Sequence, residues 1–183
     1  MLVGITGTPG TGKTAVTALL ERKRQYQVIH LNELIREEGL YSEVDRERDC
    51  VVADMDLVEK RVMGLINNMY PATLLDSHLS HYIADTVIVL RTKPDVLRER
   101  LAKRGYSAEK IEENLDAEAL DVILVESVEW CDRVFEIDTT DRSVEETVAN
   151  VEEIVESILR NGGKEQEQRY RPGFVDWSED FFE

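Results

Sequence analysis

The segment Gly7-Thr8-Pro9-Gly10-Thr11-Gly12-Lys13-Thr14 limits what this chain can become more than any other. It satisfies the spacing G-x-x-x-x-G-K-[ST], directly after the apolar run Leu2-Val3-Gly4-Ile5-Thr6 and directly before a helix-forming stretch. Strand, small-residue loop and helix in that order allow the loop to wrap around an anion. Successive backbone N–H groups then point at phosphate oxygens, and the helix adds its positive end. Lys13 is placed to reach the β- and γ-phosphates of a nucleotide, Thr14 to bind Mg²⁺ through its hydroxyl, and Ala15 to offer its backbone N–H. The bland alternative is a glycine-rich turn without a ligand.

Five apolar runs read as buried strands: residues 2–6, 26–31, 72–76, 86–90 and 134–138. Continuous Val, Ile and Leu, without strict alternation, suits a parallel sheet covered on both faces. Helical periodicity occupies residues 13–24, 54–69, 94–103, 117–130 and 143–160. The last opens with the capping box Ser143-x-x-Glu146 and carries Val144, Val148, Val151, Ile154, Val155 and Ile158 on one stripe. Strands alternating with helices predict a three-layer α/β fold with right-handed crossovers. The charged stretches 32–53 and 103–116 read as excursions from the rim of the sheet. Beyond Gly162-Gly163, a segment mixing charge with Tyr170, Phe174, Trp177, Phe181 and Phe182 reads as a disordered end or a docking segment.

At 183 residues the chain has the size of one domain. Its 22 Lys and Arg against 38 Asp and Glu leave a formal charge of −16, which repels polyanions and argues against gripping DNA or RNA backbone. The same field attracts a basic protein, although an acidic surface kept for solubility is the simpler account. Cys50 and Cys131 are far apart and lack the flanking Cys or His of a zinc knuckle. No stretch approaches the roughly 20 apolar residues that span a bilayer, and the first residues lack a basic leader, so a cytoplasmic protein without membrane partners is expected.

A phosphate loop with metal needs an acid at the end of a neighbouring strand. Asp76 closes the third apolar run, which carries it to the carboxyl edge where such sheets bind ligands. His78 shares that rim and is a candidate to order a water or a phosphate; His81 is a weaker one. Positive charge on the acceptor side is expected from Arg100 and Arg104, four apart before Gly105-Tyr106, with Arg36 meeting an acceptor phosphate. The competing account pairs these arginines, and Glu99 with Lys103, in local i,i+4 contacts. Thr92-Lys93-Pro94-Asp95 matches a guanine-reading signature. Leu79, however, stands where a GTPase needs glycine three residues after its metal acid, and the tetrapeptide also reads as a helix start.

The loop, Leu34-Ile35-Arg36-Glu37-Glu38 with Leu40-Tyr41, Asp76-Ser77-His78, Val89-Leu90-Arg91-Thr92 and Arg100-Leu101-x-x-Arg104-Gly105-Tyr106 together resemble the adenylate kinase isoenzyme 6 family over about residues 1–160. This family comprises small adenylate kinase-like ATPases that assist small ribosomal subunit maturation. The resemblance implies a nucleoside-monophosphate-kinase fold with five parallel strands in the order 2-3-1-4-5. It places an AMP-binding insert at about 30–53, a short lid at about 103–113, and a tail from 161. It implies ATP contacts at Gly10, Gly12, Lys13, Thr14, Ala15 and Arg104, and the Walker B acid and its histidine at Asp76 and His78.

The expected catalytic set is therefore Lys13, Asp76, His78, Arg100 and Arg104, with metal at Thr14 and Asp76 and Arg36 on the substrate. The implied activity is Mg²⁺-dependent transfer of the ATP γ-phosphoryl to AMP or water. The implied partners are a basic platform ribosomal protein and the pre-ribosomal small subunit. A nucleotide-gated chaperone with slow hydrolysis, and a kinase for another small acceptor, are the rival readings. The lid is short and poor in arginine compared with ordinary adenylate kinases, which admits water beside the acceptor.

Overall fold

The computed structural model describes residues 1–45 and 50–177. Five parallel strands form the central sheet: β1 (Leu2–Thr6), β2 (Gln27–His30), β5 (Thr73–Asp76), β6 (Thr86–Arg91) and β7 (Arg133–Asp138), in the spatial order β2-β5-β1-β6-β7. Counting only the strands of this sheet along the chain, the order is second, third, first, fourth, fifth, as the resemblance implies. β1, β5 and β6 bury both faces, and β7 does so over 135–137. Val3, Ile5, Leu74, Ile88, Leu90, Phe135 and Ile137 join one core with Val16 and Leu20 of α1 (Lys13–Lys23) and Val148, Val151, Ile154, Val155 and Ile158 of α7 (Val144–Asn161). The alternate residues face the other way: Ile29 and Leu75 pack with Val58 and Val62 of α3 (Met55–Leu65), and Val87 and Val89 with Leu124 of α6 (Val122–Trp130). That two-sided burial is why the strands read as unbroken apolar runs.

Local chemistry sets the helix ends. Ser143 and Glu146 complete the capping box of α7, and Gly162 ends it in the left-handed region at φ 77°. Pro94 is the first residue of α4 (Pro94–Lys103) and Asp95 sits in its first turn, so Thr92-Lys93-Pro94-Asp95 is a helix start. Ser107 caps α5 (Ala108–Ala119) by accepting the Lys110 N–H.

Two expectations change and a third is filled in. The stretch 32–53 does lie outside the central sheet, and it has structure of its own: α2 (Leu31–Glu38) precedes an antiparallel hairpin of β3 (Tyr41–Asp45) and β4 (Cys50–Ala53), whose connecting residues 46–49 lie outside the described residues. The single helix expected over 117–130 is two, α5 and α6, broken where Asp121 turns to φ 56° and gives its carboxylate to Arg91. The described residues after 161, up to 177, do not leave the domain. Tyr170 is buried in the α1/α7 core, its carbonyl accepts the Glu136 N–H at 2.8 Å, and Val175 is 6 % exposed. Apolar side chains and backbone pairing override the charge that made this segment look peripheral; Phe181 and Phe182 fall outside the described residues.

Candidate active site

The loop between β1 and α1 follows from two backbone demands. Gly7 holds φ 133°, and a Cβ there would stand 2.3 Å from the Leu90 carbonyl oxygen; Gly10 holds φ 96°, and its Cβ would meet Leu97 Cδ1 at 2.7 Å. Only glycine takes these conformations this close to neighbouring chain. Gly12 begins α1 without a side-chain cap, and no acid stands in the first turn. The first N–H groups of the helix thus retain their capacity for an external acceptor.

Within this turn lies a buried cation. The Lys13 ammonium donates to the Gly7 carbonyl at 2.6 Å and the Thr8 carbonyl at 3.0 Å, with no carboxylate in contact among the described residues. Burial lowers its pKa to about 8, against the opposing pull of Asp76 and Glu118. Two carbonyl dipoles compensate an ammonium less well than an anion would, which marks the loop as a receptor for negative charge.

Asp76 ends β5 beside His30 at the end of β2, the two being register partners. Its Oδ2 accepts from Thr17 Oγ1 at 3.0 Å and lies 2.9 Å from His30 Nδ1, so Oδ1 is left for a further ligand. The bond to Asp76 raises the His30 pKa. Thr14 is exposed on the same cavity wall. A hydroxyl and one carboxylate are hard oxygen donors, sparse enough to leave room for waters and phosphate, and so they fit Mg²⁺. Among the described residues no cluster of three or more His, Cys, Asp or Glu competes as a metal cage.

A cavity of about 1600 Å³ joins this wall to the acceptor side. Gly10, Gly12, Lys13, Thr14, Ala15, Asp76 and His78 face it from the loop and strand ends. Arg36 comes from α2, Arg104 from the end of α4, and Tyr106 from the turn before α5. Arg36 makes no ion pair among the described residues, and Arg104 lies 5.9 Å from the centre of the Tyr106 ring. Glu99 and Lys103 do approach at 3.6 Å, exposed on the outside of α4.

Arg100 is held at the cavity rim by the 139–140 loop. It borders the cavity, but its guanidinium donates to the Thr139 carbonyl at 2.8 Å and to the Thr92 and Thr139 hydroxyls at 3.2 Å. Thr139 Oγ1 in turn donates to the Thr11 carbonyl at 3.0 Å. The Arg100 Nη1 and Nη2 donors thus link α4 to the 139–140 loop and, through Thr139, to the phosphate loop. His81 also serves the scaffold, buried between Thr6 Oγ1 at 3.4 Å and Glu126 Oε2 at 3.2 Å.

His78 is held neutral: burial, then the Lys13 charge, lower its pKa to about 4. It enters the cavity as an imidazole able to accept a hydrogen bond, not as a cation. Unfolded histidine titrates near 6.5, so between about pH 6.5 and 4 the unfolded chain binds more protons, and stability falls as pH drops through that window. His30 works oppositely, its contribution being lost as pH rises through its raised value. His78→Leu is expected to flatten the acid side of a urea-midpoint against pH curve; an unchanged slope would contradict the burial of its charge.

Sequence reading overlooked His30 and Glu118. His30 had a signal, because a polar residue ending β2 must fall beside the acid ending β5 when parallel strands align. Glu118 had none, since its role arises from the break between α5 and α6.

The sheet order and the loop define a P-loop fold of the kinase type, with a cavity built to receive phosphate. A family model described as an AAA domain matches residues 3–121. The protein named "Putative adenylate kinase" from Methanosarcina acetivorans is 60 % identical over 97 % of each chain. Its namesake from Methanocaldococcus jannaschii is 40 % identical over 100 % of this chain and 96 % of its own. The chain belongs to this family. The fold is shared with shikimate kinase from Bacteroides thetaiotaomicron (TM-score 0.57, 19 % identity, covering 85 % of this chain and 98 % of that one). It is shared also with deoxyadenosine kinase from M. mycoides (TM-score 0.53, 15 % identity, 86 % and 100 %). No helix among the described residues is long and apolar enough to cross a membrane.

Proposed function

We propose that the protein transfers the γ-phosphoryl of MgATP to AMP, with water as a competing acceptor, in a cytoplasmic role tied to maturation of the small ribosomal subunit. The observation that carries this reading is the shared cavity: a loop built to receive phosphate on one wall, and Arg36, Asn32 and Glu33 of α2 on the other. Lys13 and the first N–H groups of α1 hold the β- and γ-phosphates. Thr14 and Asp76 would hold Mg²⁺, which when bound would supply charge neutralisation for the transferring group. Arg104 closes from the lid, about residues 103–113, and Arg36 binds the acceptor phosphate within the insert of about residues 30–53. Neutral His78 accepts a hydrogen bond from the acceptor phosphate or from a water. AMP receives the phosphoryl to give two ADP; water receives it to give ADP and phosphate.

The partner side of the proposal draws on α6. Leu120, Val125, Val128 and Trp130 are each more than half exposed around it, at 58, 58, 53 and 65 %. Between Lys110 and Arg133 the chain carries eight acids and neither Lys nor Arg. An apolar face flanked only by acids suits a basic, partly apolar protein such as a ribosomal protein, and it favours a second reading in which nucleotide gates that partner's release.

Following MgATP and AMP chromatographically tests both. Two ADP formed per AMP consumed is the expected result for the kinase. ADP and phosphate formed at the same rate without AMP would reject AMP as principal acceptor, and acceleration by a basic small-subunit protein would then favour the gated ATPase. Turnover only with another nucleoside monophosphate or small acceptor would reassign the substrate.

A further inference from the structure

Glu118 lies in the last turn of α5, the helix whose other end borders the cavity, yet its side chain reaches under the phosphate loop and is 2 % exposed. Oε2 accepts the Thr8 hydroxyl at 2.5 Å. Oε1 accepts the Arg91 Nε at 2.8 Å and the Thr92 backbone N–H at 2.9 Å. One carboxylate thus ties together the second residue of the loop, the chain leaving β6 and the buried Arg91.

The far side of Thr8 is the part that matters for a ligand. Its carbonyl accepts the Lys13 ammonium at 3.0 Å, the Thr11 N–H at 3.2 Å and the Thr11 hydroxyl at 2.9 Å. Thr8 therefore stands between an anchored carboxylate and the lysine of the loop. A desolvated, charged acceptor holds its donors tightly, so freedom at Thr8 would be freedom in the turn that must present its N–H groups to phosphate.

We propose that Glu118 is a positioning residue for nucleotide binding: through Thr8 it holds the phosphate loop in its anion-receiving shape before the ligand arrives. It lowers the ordering cost of binding and does not itself touch the nucleotide. This rests on the reading that the loop takes ATP phosphates. It assigns the lid helix a second function, since the helix that borders the acceptor side at one end fixes the donor side at the other.

The test is direct binding of a fluorescent ATP analogue to the full chain, alongside steady-state kinetics and thermal melting. Thr8→Val is expected to weaken ATP binding about tenfold, the effect of losing one hydrogen bond to a charged group. It should raise the KM for ATP in proportion while leaving kcat at saturation and the KM for AMP within about twofold. Thr8→Ser, which keeps the hydroxyl, should bind as the parent does. Glu118→Gln should weaken binding in the same direction, and Thr8→Val with Glu118→Gln should be no weaker than the poorer single variant, because Thr8 is the contact through which Glu118 reaches the loop. Unchanged ATP affinity in Thr8→Val, with or without a lower melting temperature, would overturn the proposal, as would strictly additive losses in the double variant. Failure of the parent chain to bind the analogue would overturn the nucleotide reading, and this inference with it.

Discussion

Lys13→Met is expected to reduce turnover by about a hundred- to a thousandfold or more, the scale of removing one charged donor from a phosphoryl-transfer site. The same substitution is expected to make the nucleotide-free chain more stable. In the free loop the ammonium is buried against two carbonyls, and its pKa stands at about 8 against 10.5 when unfolded. Keeping it charged at neutral pH therefore costs at most about 3 kcal/mol, less what the carbonyl hydrogen bonds return. That cost is full below the folded pKa and fades as pH rises from about 8 to 10.5, so the parent chain should gain stability across this window and the variant should not. Conversely, ATP should raise the melting temperature of the parent far more than that of Lys13→Met. Melting curves with and without MgATP, together with turnover, read all of this. Undiminished turnover in the variant at saturating MgATP would sink the assignment.

Arg91 carries the largest structural stake. It is 1 % exposed and bonds Glu118 Oε1 at 2.8 Å, the Glu118 carbonyl at 3.0 Å, Glu136 Oε1 at 2.9 Å and the Asp121 carboxylate. Arg91→Met leaves three carboxylates without their common cation and is expected to cost about 3–5 kcal/mol in urea unfolding. That is a large part of the 5–15 kcal/mol that holds a typical domain together. Arg91→Lys should recover little, because a point charge lacks the planar fork that serves several acceptors at once. Adding Glu118→Gln and Glu136→Gln to Arg91→Met should recover part of the loss by removing the orphaned charges. A cost below about 1 kcal/mol for Arg91→Met would show that the acids are satisfied by solvent.

The consequences of this network extend to the C-terminal segment. Glu136 Oε2 accepts the Phe174 N–H at 2.8 Å and the Val175 N–H at 3.4 Å, so the same buried charges that hold α5 also hold the chain beyond α7. The mixture of charge and aromatic residues there read as either a disordered end or a docking segment. Two backbone N–H groups seeking an acceptor, and Tyr170 seeking the core, decided otherwise.

The sheet was legible because two-sided burial demands continuous apolar runs, and the phosphate loop because its conformation demands glycine at fixed intervals. Asp76 and His78 were placed by the same logic, as residues carried to the carboxyl edge by a buried strand. The α2 helix went unread, although Leu31, Leu34 and Ile35 recur at helical spacing and Gly39 follows. Its charge obscured that pattern. The β3–β4 hairpin had no short turn signature to announce it.

Periodicity, caps and glycine spacing are properties of residues a few positions apart, and they determined the strand order's raw material, the helix starts and the identity of the anion-binding loop. Partnerships between distant residues belong to the tertiary structure. The bonding of Arg100 to Thr139 and Thr140, the meeting of His30 with Asp76 across 46 positions, and the burial of Glu118 beneath Thr8 across 110 were all decided there. The physical reason is that a polar side chain removed from water must find a partner, and which partner lies within 3 Å is settled only once the sheet and its helices have packed.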